Sequence, residues 1–262
     1  MSKPSYREWS GPSPCVDKLW RLDVPAGVGP VQHRVLPDGC MDLVVRLHRA
    51  ASGRLEYDEL LIAGPSTTAD LVVVRPGDVF LGVRYRTGWG GRCLGIDPQA
   101  VAGQVTRASA VSHRYIGLES EVAAGIAADG LGEAFRSLLR DTVQDVAAAG
   151  RAQVAVERIQ ASRGRVDLRR LAVALSISPR TLRREVASEA GLPPKVLARV
   201  FRFRYALTCA SPSLAVVAAA AGYADQAHMT REFTALAGLS PARWMAETFK
   251  TQAGEDPIMP AA

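Results

Sequence analysis

The chain has 262 residues, a length that suggests roughly two domains at about 150 residues each. Apolar residues make up 48% and charged residues 22%, which excludes a mostly disordered chain. No apolar run of about 18 residues is present, which excludes a membrane-spanning helix.

The opening MSKPSYREWSGPSPC lacks an apolar stretch and does not read as a secretory signal, so a cytoplasmic protein is expected. The net charge of +6 is unevenly spread. Residues 1–150 carry 16 Lys/Arg against 17 Asp/Glu, and residues 151–262 carry 16 against 9. Arg supplies 28 of the 32 basic groups. A near-neutral first half and a basic second half suggest two tasks, the second involving a polyanion.

In chain order, the first hundred residues read as β-rich. The runs at 31–37, 41–47, 55–64, 69–75 and 78–86 are short and rich in β-branched or aromatic residues. Turn signals separate them: Pro37-Asp38-Gly39, Ser52-Gly53, Gly64-Pro65 and Pro76-Gly77-Asp78. Strands so spaced suggest an antiparallel sandwich or barrel. Asp97-Pro98 then predicts a short helix. From about 119 to 149, Leu131, Phe135, Leu138, Leu139 and Val143 recur at helical spacing.

Beyond Gly150 the pattern is wholly helical. Breakers and caps at Gly164, Asp167, Ser178-Pro179, Gly191, Ser211-Pro212-Ser213, Gly222, Asp225, Gly238 and Ser240-Pro241 mark out about seven short helices. The tail 251–262 shows no periodicity.

This half contains a weak internal repeat. DLRRLAVALSISPRTLRREV (167–186) and SLAVVAAAAGYADQAHMTREF (213–233) each read as helix, tight turn and capped helix. Ala172 and Ala218 allow close helix approach. Ser176 and Gly222 occupy the turns, where glycine is the easier fit if φ is positive. In the first unit Leu182 and Val186 face inward and leave Arg180, Arg183 and Arg184 outside. In the second, Met229, Phe233 and Leu236 form the apolar stripe, with Gln226, Ala227, Thr230 and Arg231 outside. Thr181 and His228 join them as DNA-facing candidates near the helix starts, His228 reading as a packing or phosphate-meeting residue. Such residue types suit base edges: Arg pairs with guanine, Gln with adenine, and Ala or Thr methyls meet thymine. A helix from about Lys195 to Cys209, carrying Arg199, Arg202 and Arg204, would join the two units across successive major grooves.

The stretch Ala218, Gly222, Tyr223, Asp225, Gln226, His228, Arg231, Phe233, then Gly238, Ser240 and Pro241, resembles the DNA-binding domain of the AraC/XylS family of transcriptional regulators. Residues 33–45 and 80–88 are similar to the small cupin-like sensor domains of one poorly characterised subset of that family. The resemblance implies an α+β protein: an N-terminal antiparallel β-barrel with flanking helices, and a C-terminal all-α tandem helix-turn-helix domain of seven helices. The expected divisions are 1–118 for sensing, 119–150 for a helical linker and homodimer contact, 151–250 for DNA, and 251–262 as a tail. Double-stranded DNA, RNA polymerase and a small-molecule effector are the partners implied, with no membrane.

Several residues of the first half are candidates for binding chemistry. Asp42 in an apolar strand needs a cationic partner, Arg84 or Arg34. Cys40 suits either a sensing thiol or a buried small hydrophobe. His33 lacks a nearby second histidine for a metal site. Arg84, Tyr85, Arg86 and Trp89 suit a pocket mouth or a structural cluster. The ligand-facing candidates are therefore His33, Cys40, Asp42, Arg84 and Trp89.

Two other functions compete. A DNA-repair methyl acceptor needs a zinc-held cysteine cluster or a P-C-H-R nucleophile, and neither is found. A cupin enzyme fused to a DNA-binding domain is disfavoured by four scattered histidines. With Cys15, Cys40, Cys93 and Cys209 also dispersed, the expectation is a non-enzyme with no metal and no cofactor.

Overall fold

The computed structural model describes residues 4–27, 29–129, 131–140, 149–209, 211 and 213–252. The strands are β1 (Ser5–Ser10), β2 (Val16–Asp23), β3 (Val31–Val35), β4 (Met41–Arg49), β5 (Leu55–Ala63), β6 (Asp70–Val74), β7 (Asp78–Tyr85) and β8 (Val105–Arg107). Helices α1 (Gly90–Leu94), α2 (Ala108–Val111), α3 (Arg114–Asp129) and α4 (Leu131–Arg140) complete the N-terminal half. The C-terminal half holds α5 (Arg151–Ala161), α6 (Leu168–Ala174), α7 (Pro179–Ala190), α8 (Pro194–Thr208), α9 (Leu214–Ala221), α10 (Gln226–Ala237) and α11 (Pro241–Gln252).

The architecture is α+β. Six antiparallel strands form a sheet in the order β1-β2-β7-β4-β5-β8, and β3 pairs with β6 in a separate antiparallel pair. Among the described residues no ladder joins β1 to β8, so the sheet is open rather than a closed ring, with β3 and β6 lying over one face. β4 and β7 read as near-continuous apolar runs because both their faces are covered. Alternation assigns those faces. Leu43, Val45, Leu47, Leu81, Val83 and Tyr85 pack against α3 and α4 through Tyr115, Leu118, Val122 and Leu138. Val44 and Phe80 point the other way, towards Val72 and Val74 of β6.

The expected strands 31–37, 41–47, 55–64, 69–75 and 78–86 correspond to β3 to β7 within two residues at each end. β1, β2 and β8 are additional to them. The segment from Asp97 is a turn rather than a helix, with the Gln99 N–H donating to Asp97 Oδ1 at 2.9 Å. The carboxylate caps, but no apolar stripe follows that would bury a helix. The helical stretch expected over 119–149 begins earlier, at Arg114, and is divided between α3 and α4. Val143 lies outside the described residues, as does the tail from residue 253, while α11 runs two residues into the segment expected to be irregular.

The capping chemistry explains the helical half. Asp167, Ser178, Ser213 and Asp225 each accept a backbone N–H at the start of α6, α7, α9 and α10. Long α8 is the spine: Leu197 and Phe201 pack with α6 and α7, Val200 and Phe203 with α10, and Ala206 with α9. Among the described residues no helix is long and apolar enough to cross a membrane.

Candidate nucleic-acid interface and buried cavity

Two helix-turn-helix units stand on α8. The first is α6 with α7, the second α9 with α10, as the internal repeat predicts. In α7, Leu182, Val186 and Ala190 are buried, and Arg180, Arg183 and Arg184 are exposed. In α10, Met229, Phe233, Leu236 and Ala237 are buried, and Gln226, Ala227 and Arg231 are exposed. Thr230 is half-buried on the flank.

Thr181 and His228 are also half-buried, and both are engaged locally. Thr181 Oγ1 lies 2.9 Å from Ser178 Oγ, and its N–H donates to the same oxygen at 3.0 Å. His228 Nδ1 accepts from the Ala224 N–H at 3.4 Å, and its ring meets Tyr223 edge-on at 5.4 Å. Both residues secure the start of a helix whose outer face carries the exposed groups.

The turns differ as their residues require. Gly222 has φ +77°, and Ser176 takes φ +54°, the left-handed region that glycine enters without penalty. Of the three arginines of α8, Arg199 and Arg202 turn inward. Arg199 Nε donates to Glu232 Oε1 at 2.7 Å, and Arg202 Nη1 lies 3.9 Å from Glu232 Oε2. Arg202 Nη2 also donates to the Gly164 carbonyl at 3.1 Å. These pairs hold α10 to α8, so these cations serve the scaffold rather than the outer face.

The N-terminal half forms a cavity of about 160 Å³, partly open to solvent, between the large sheet and the β3–β6 pair. Strand alternation builds it. Trp20 and Leu22 of β2, Asp42 and Val44 of β4, and Phe80 and Arg84 of β7 all face inward, opposed by His33 and Val35 of β3 and by Val72 and Val74 of β6. Gly82 stands opposite Trp20 in the ladder, and the indole lies where a Cβ would be, with Trp20 Cε2 only 2.0 Å from that position. The ring can therefore lie flat and aim Nε1 at Asp42 Oδ1, 2.8 Å away.

The cavity has one polar end. Arg84 Nε donates to Asp42 Oδ1 at 3.1 Å, and Arg84 Nη1 lies 3.0 Å from Asp38 Oδ2. Asp38 Oδ1 also accepts the Cys40 N–H at 2.8 Å. Burial pushes the Asp42 carboxyl above its usual range, Arg84 offsetting only part of this, and the neighbouring Asp38 adds to the rise. For Asp38 burial acts in the same upward direction, but Arg84, Arg204 and the Cys40 amide outweigh it and hold it low. Both carboxylates raise Arg84 against the effect of burial. Burial lowers His33, keeping the imidazole neutral at neutral pH.

Of the sequence candidates, His33, Cys40, Asp42 and Arg84 converge on this cavity. Trp89 does not: it packs against the main core at the start of α1. Tyr85 is fully buried in that core, and Arg86 lines a separate groove beside Arg163 and Arg204. Burial and the Asp38 charge push the Cys40 thiol up, so it is not a ready thiolate. Asp42 takes Arg84 as its partner. Arg34 is engaged elsewhere. The structure adds Trp20, Tyr6, Phe80 and Asp38, which sequence reasoning passes over. The alternation in VDKLWRLD is the signal that places Trp20 on a strand face. Among the described residues no group of three or more His, Cys, Asp or Glu is placed to hold a metal.

The lid of the cavity also touches the second helix-turn-helix unit. Arg34 Nη1 donates to the Ala237 carbonyl at 2.8 Å, and the Ala69 N–H donates to the Leu236 carbonyl at 2.7 Å. These are terminal acceptors of α10 without partners inside the helix, and a guanidinium there also complements the helix dipole. Leu36 packs among Val200, Phe203, Phe233 and Leu236. The first unit is tied by the Arg92–Glu189 ion pair.

Comparison with known proteins bears on both halves. Residues 171–247 match a family model described as a helix-turn-helix domain, and residues 13–107 match one described as a domain of unknown function, DUF6597. No curated protein matches the chain in sequence. Among solved structures, ToxT from Vibrio cholerae O395 superposes with a TM-score of 0.43 at 11% identity, covering 92% of this chain and 97% of that one. ToxT from Vibrio cholerae strain SCE256, solved with an unsaturated fatty acid bound, gives 0.44 at 9% identity, covering 98% and 100%. By its family matches the chain joins a C-terminal segment similar to a helix-turn-helix domain to an N-terminal segment similar to the DUF6597 domain.

Proposed function

We propose that the protein is a sequence-specific transcriptional regulator whose two helix-turn-helix units read adjacent major grooves, controlled by a small molecule in the N-terminal cavity. The observation that supports it most is the duplicated pattern on α7 and α10. Each helix has a side-chain cap at its start, a buried stripe fastening it to the body, and an opposite face of exposed Arg, Gln or Ala. Arg180, Arg183 and Arg184 are assigned to one box, with Gln226, Ala227, Thr230 and Arg231 to the other. Thr181 and His228 present the helix starts to the backbone phosphates.

Control by an effector is supported by the shared element. β3 supplies His33 and Val35 to the cavity wall, and Arg34 between them holds the end of α10. A ligand that shifts β3 therefore acts on a recognition helix directly.

Selection of bound sequences from random duplexes by the full-length protein tests the reading. It should return two boxes about 10 bp apart, with affinity falling as salt rises. Arg231→Ala should weaken the selected site by about 1–3 kcal/mol and relax one base position. An Arg231→Ala protein with unchanged base preference overturns that assignment. Selection that returns no enriched sequence overturns the function.

A further inference from the structure

We propose that the cavity between the large sheet and the β3–β6 pair takes a small organic cation, an amine carried on one ring or a short alkyl chain. The inference rests on the effector reading above and names the chemical class for that site.

Size comes first. The cavity is about 160 Å³. An engineered apolar cavity of roughly 150 Å³ holds a benzene-sized molecule. One ring with a short arm fills such a space.

Charge decides the head group. Among the described residues, Asp38, Asp42 and Asp70 line the cavity against a single cation, Arg84, and His33 beside them is neutral. Arg84 is already divided between two carboxylates, through Nε to Asp42 and through Nη1 to Asp38. Arg204 acts on Asp38 too, but from the groove outside this cavity. Asp42 is only 7% exposed, so water does little for its charge. Its Oδ1 accepts from Trp20 and Arg84, while among the described residues its Oδ2 has only a longer contact to Arg84 Nε at 3.3 Å. An ammonium donating to Oδ2 supplies both a hydrogen bond and a neutralising charge.

The walls agree. Tyr6, Trp20 and Phe80 line the same space, with Tyr6 and Trp20 stacked at 6.2 Å between centroids. Aromatic faces beside a carboxylate favour organic ammonium groups. An anionic ligand would instead face three carboxylates, and a neutral one would leave the Asp42 charge as it stands.

The test uses the full-length protein with three probes of similar shape: phenethylamine, phenethyl alcohol and hydrocinnamate. Binding is followed by calorimetric titration and by the shift in melting temperature. The amine should bind at least about tenfold more tightly than the alcohol, as a buried charge-assisted bond implies, with the carboxylate weakest. Asp42→Asn should remove the amine's advantage while alcohol binding persists, which also shows that the variant is folded. If Asp42→Asn does not fold, the wild-type ranking decides alone. Equal or tighter binding of the alcohol or the carboxylate overturns the cation and leaves the effector cavity standing. If none of the three binds at millimolar concentration, the cation proposal is overturned, and the effector reading is left to the duplex-selection test.

Discussion

Ser176 and Gly222 occupy equivalent turns and share a left-handed backbone, yet only the glycine enters it freely. An L-residue there costs about 1–2 kcal/mol, while glycine carries about 0.5–1 kcal/mol more unfolded-state entropy. Ser176→Gly should therefore stabilise the protein slightly, with a rise in Tm of roughly 1–2 °C by calorimetry. Ser176→Val should lower Tm, because a β-branched side chain tolerates positive φ poorly. A fall in Tm for the glycine variant would contradict the strain attributed to this turn. Strain at Ser176 was legible from the repeat alone, since Gly222 marks the position. The role of Arg34 was not legible, because its acceptor lies 203 residues away.

Among elements, β3 links what the cavity senses to what α10 does. Its alternation sends His33 and Val35 one way and Arg34 the other. Arg34→Ala removes a charged donor from the last turn of α10, a loss of about 1–2 kcal/mol of local stability. Amide hydrogen exchange at residues 234–239 should then accelerate by about 5–30-fold, with exchange in α6 unchanged. Equal exchange in the two proteins would mean that this contact does not restrain the helix. The helical elements were the more legible ones. Their caps and glycines are local signals, and α6, α7, α9 and α10 begin at the predicted side chains. Edge strand β1 and its neighbour β2 were less so, because half-exposed positions occupied by charged residues dilute their alternation.

For the whole molecule, acidification should cost stability in a defined order. Burial lowers His33 in the fold, so the unfolded chain takes up the proton first. That stability is present above about pH 6.5, the ordinary histidine value, and is lost as pH falls below it. Asp38, held low in the fold despite its burial, adds stability that is lost below about pH 4. Asp42 is raised by burial and opposes the loss at the acid end. Melting temperatures measured from pH 7.5 to 5.5 should fall in the wild type, and the slope should flatten in His33→Gln. Identical slopes would place the titrating group elsewhere.

The sequence by itself determined the basic C-terminal half, its repeated capped helices and the apolar strands of the first half, because each is encoded by neighbours within a few residues. It also exposed Asp42 as a carboxylate in need of a cation. Which cation, where Trp20 lies, how far the sheet closes and which helix the cavity lid holds were decided only by tertiary structure. Those outcomes depend on groups brought together across tens to hundreds of residues, where sequence spacing carries no distance.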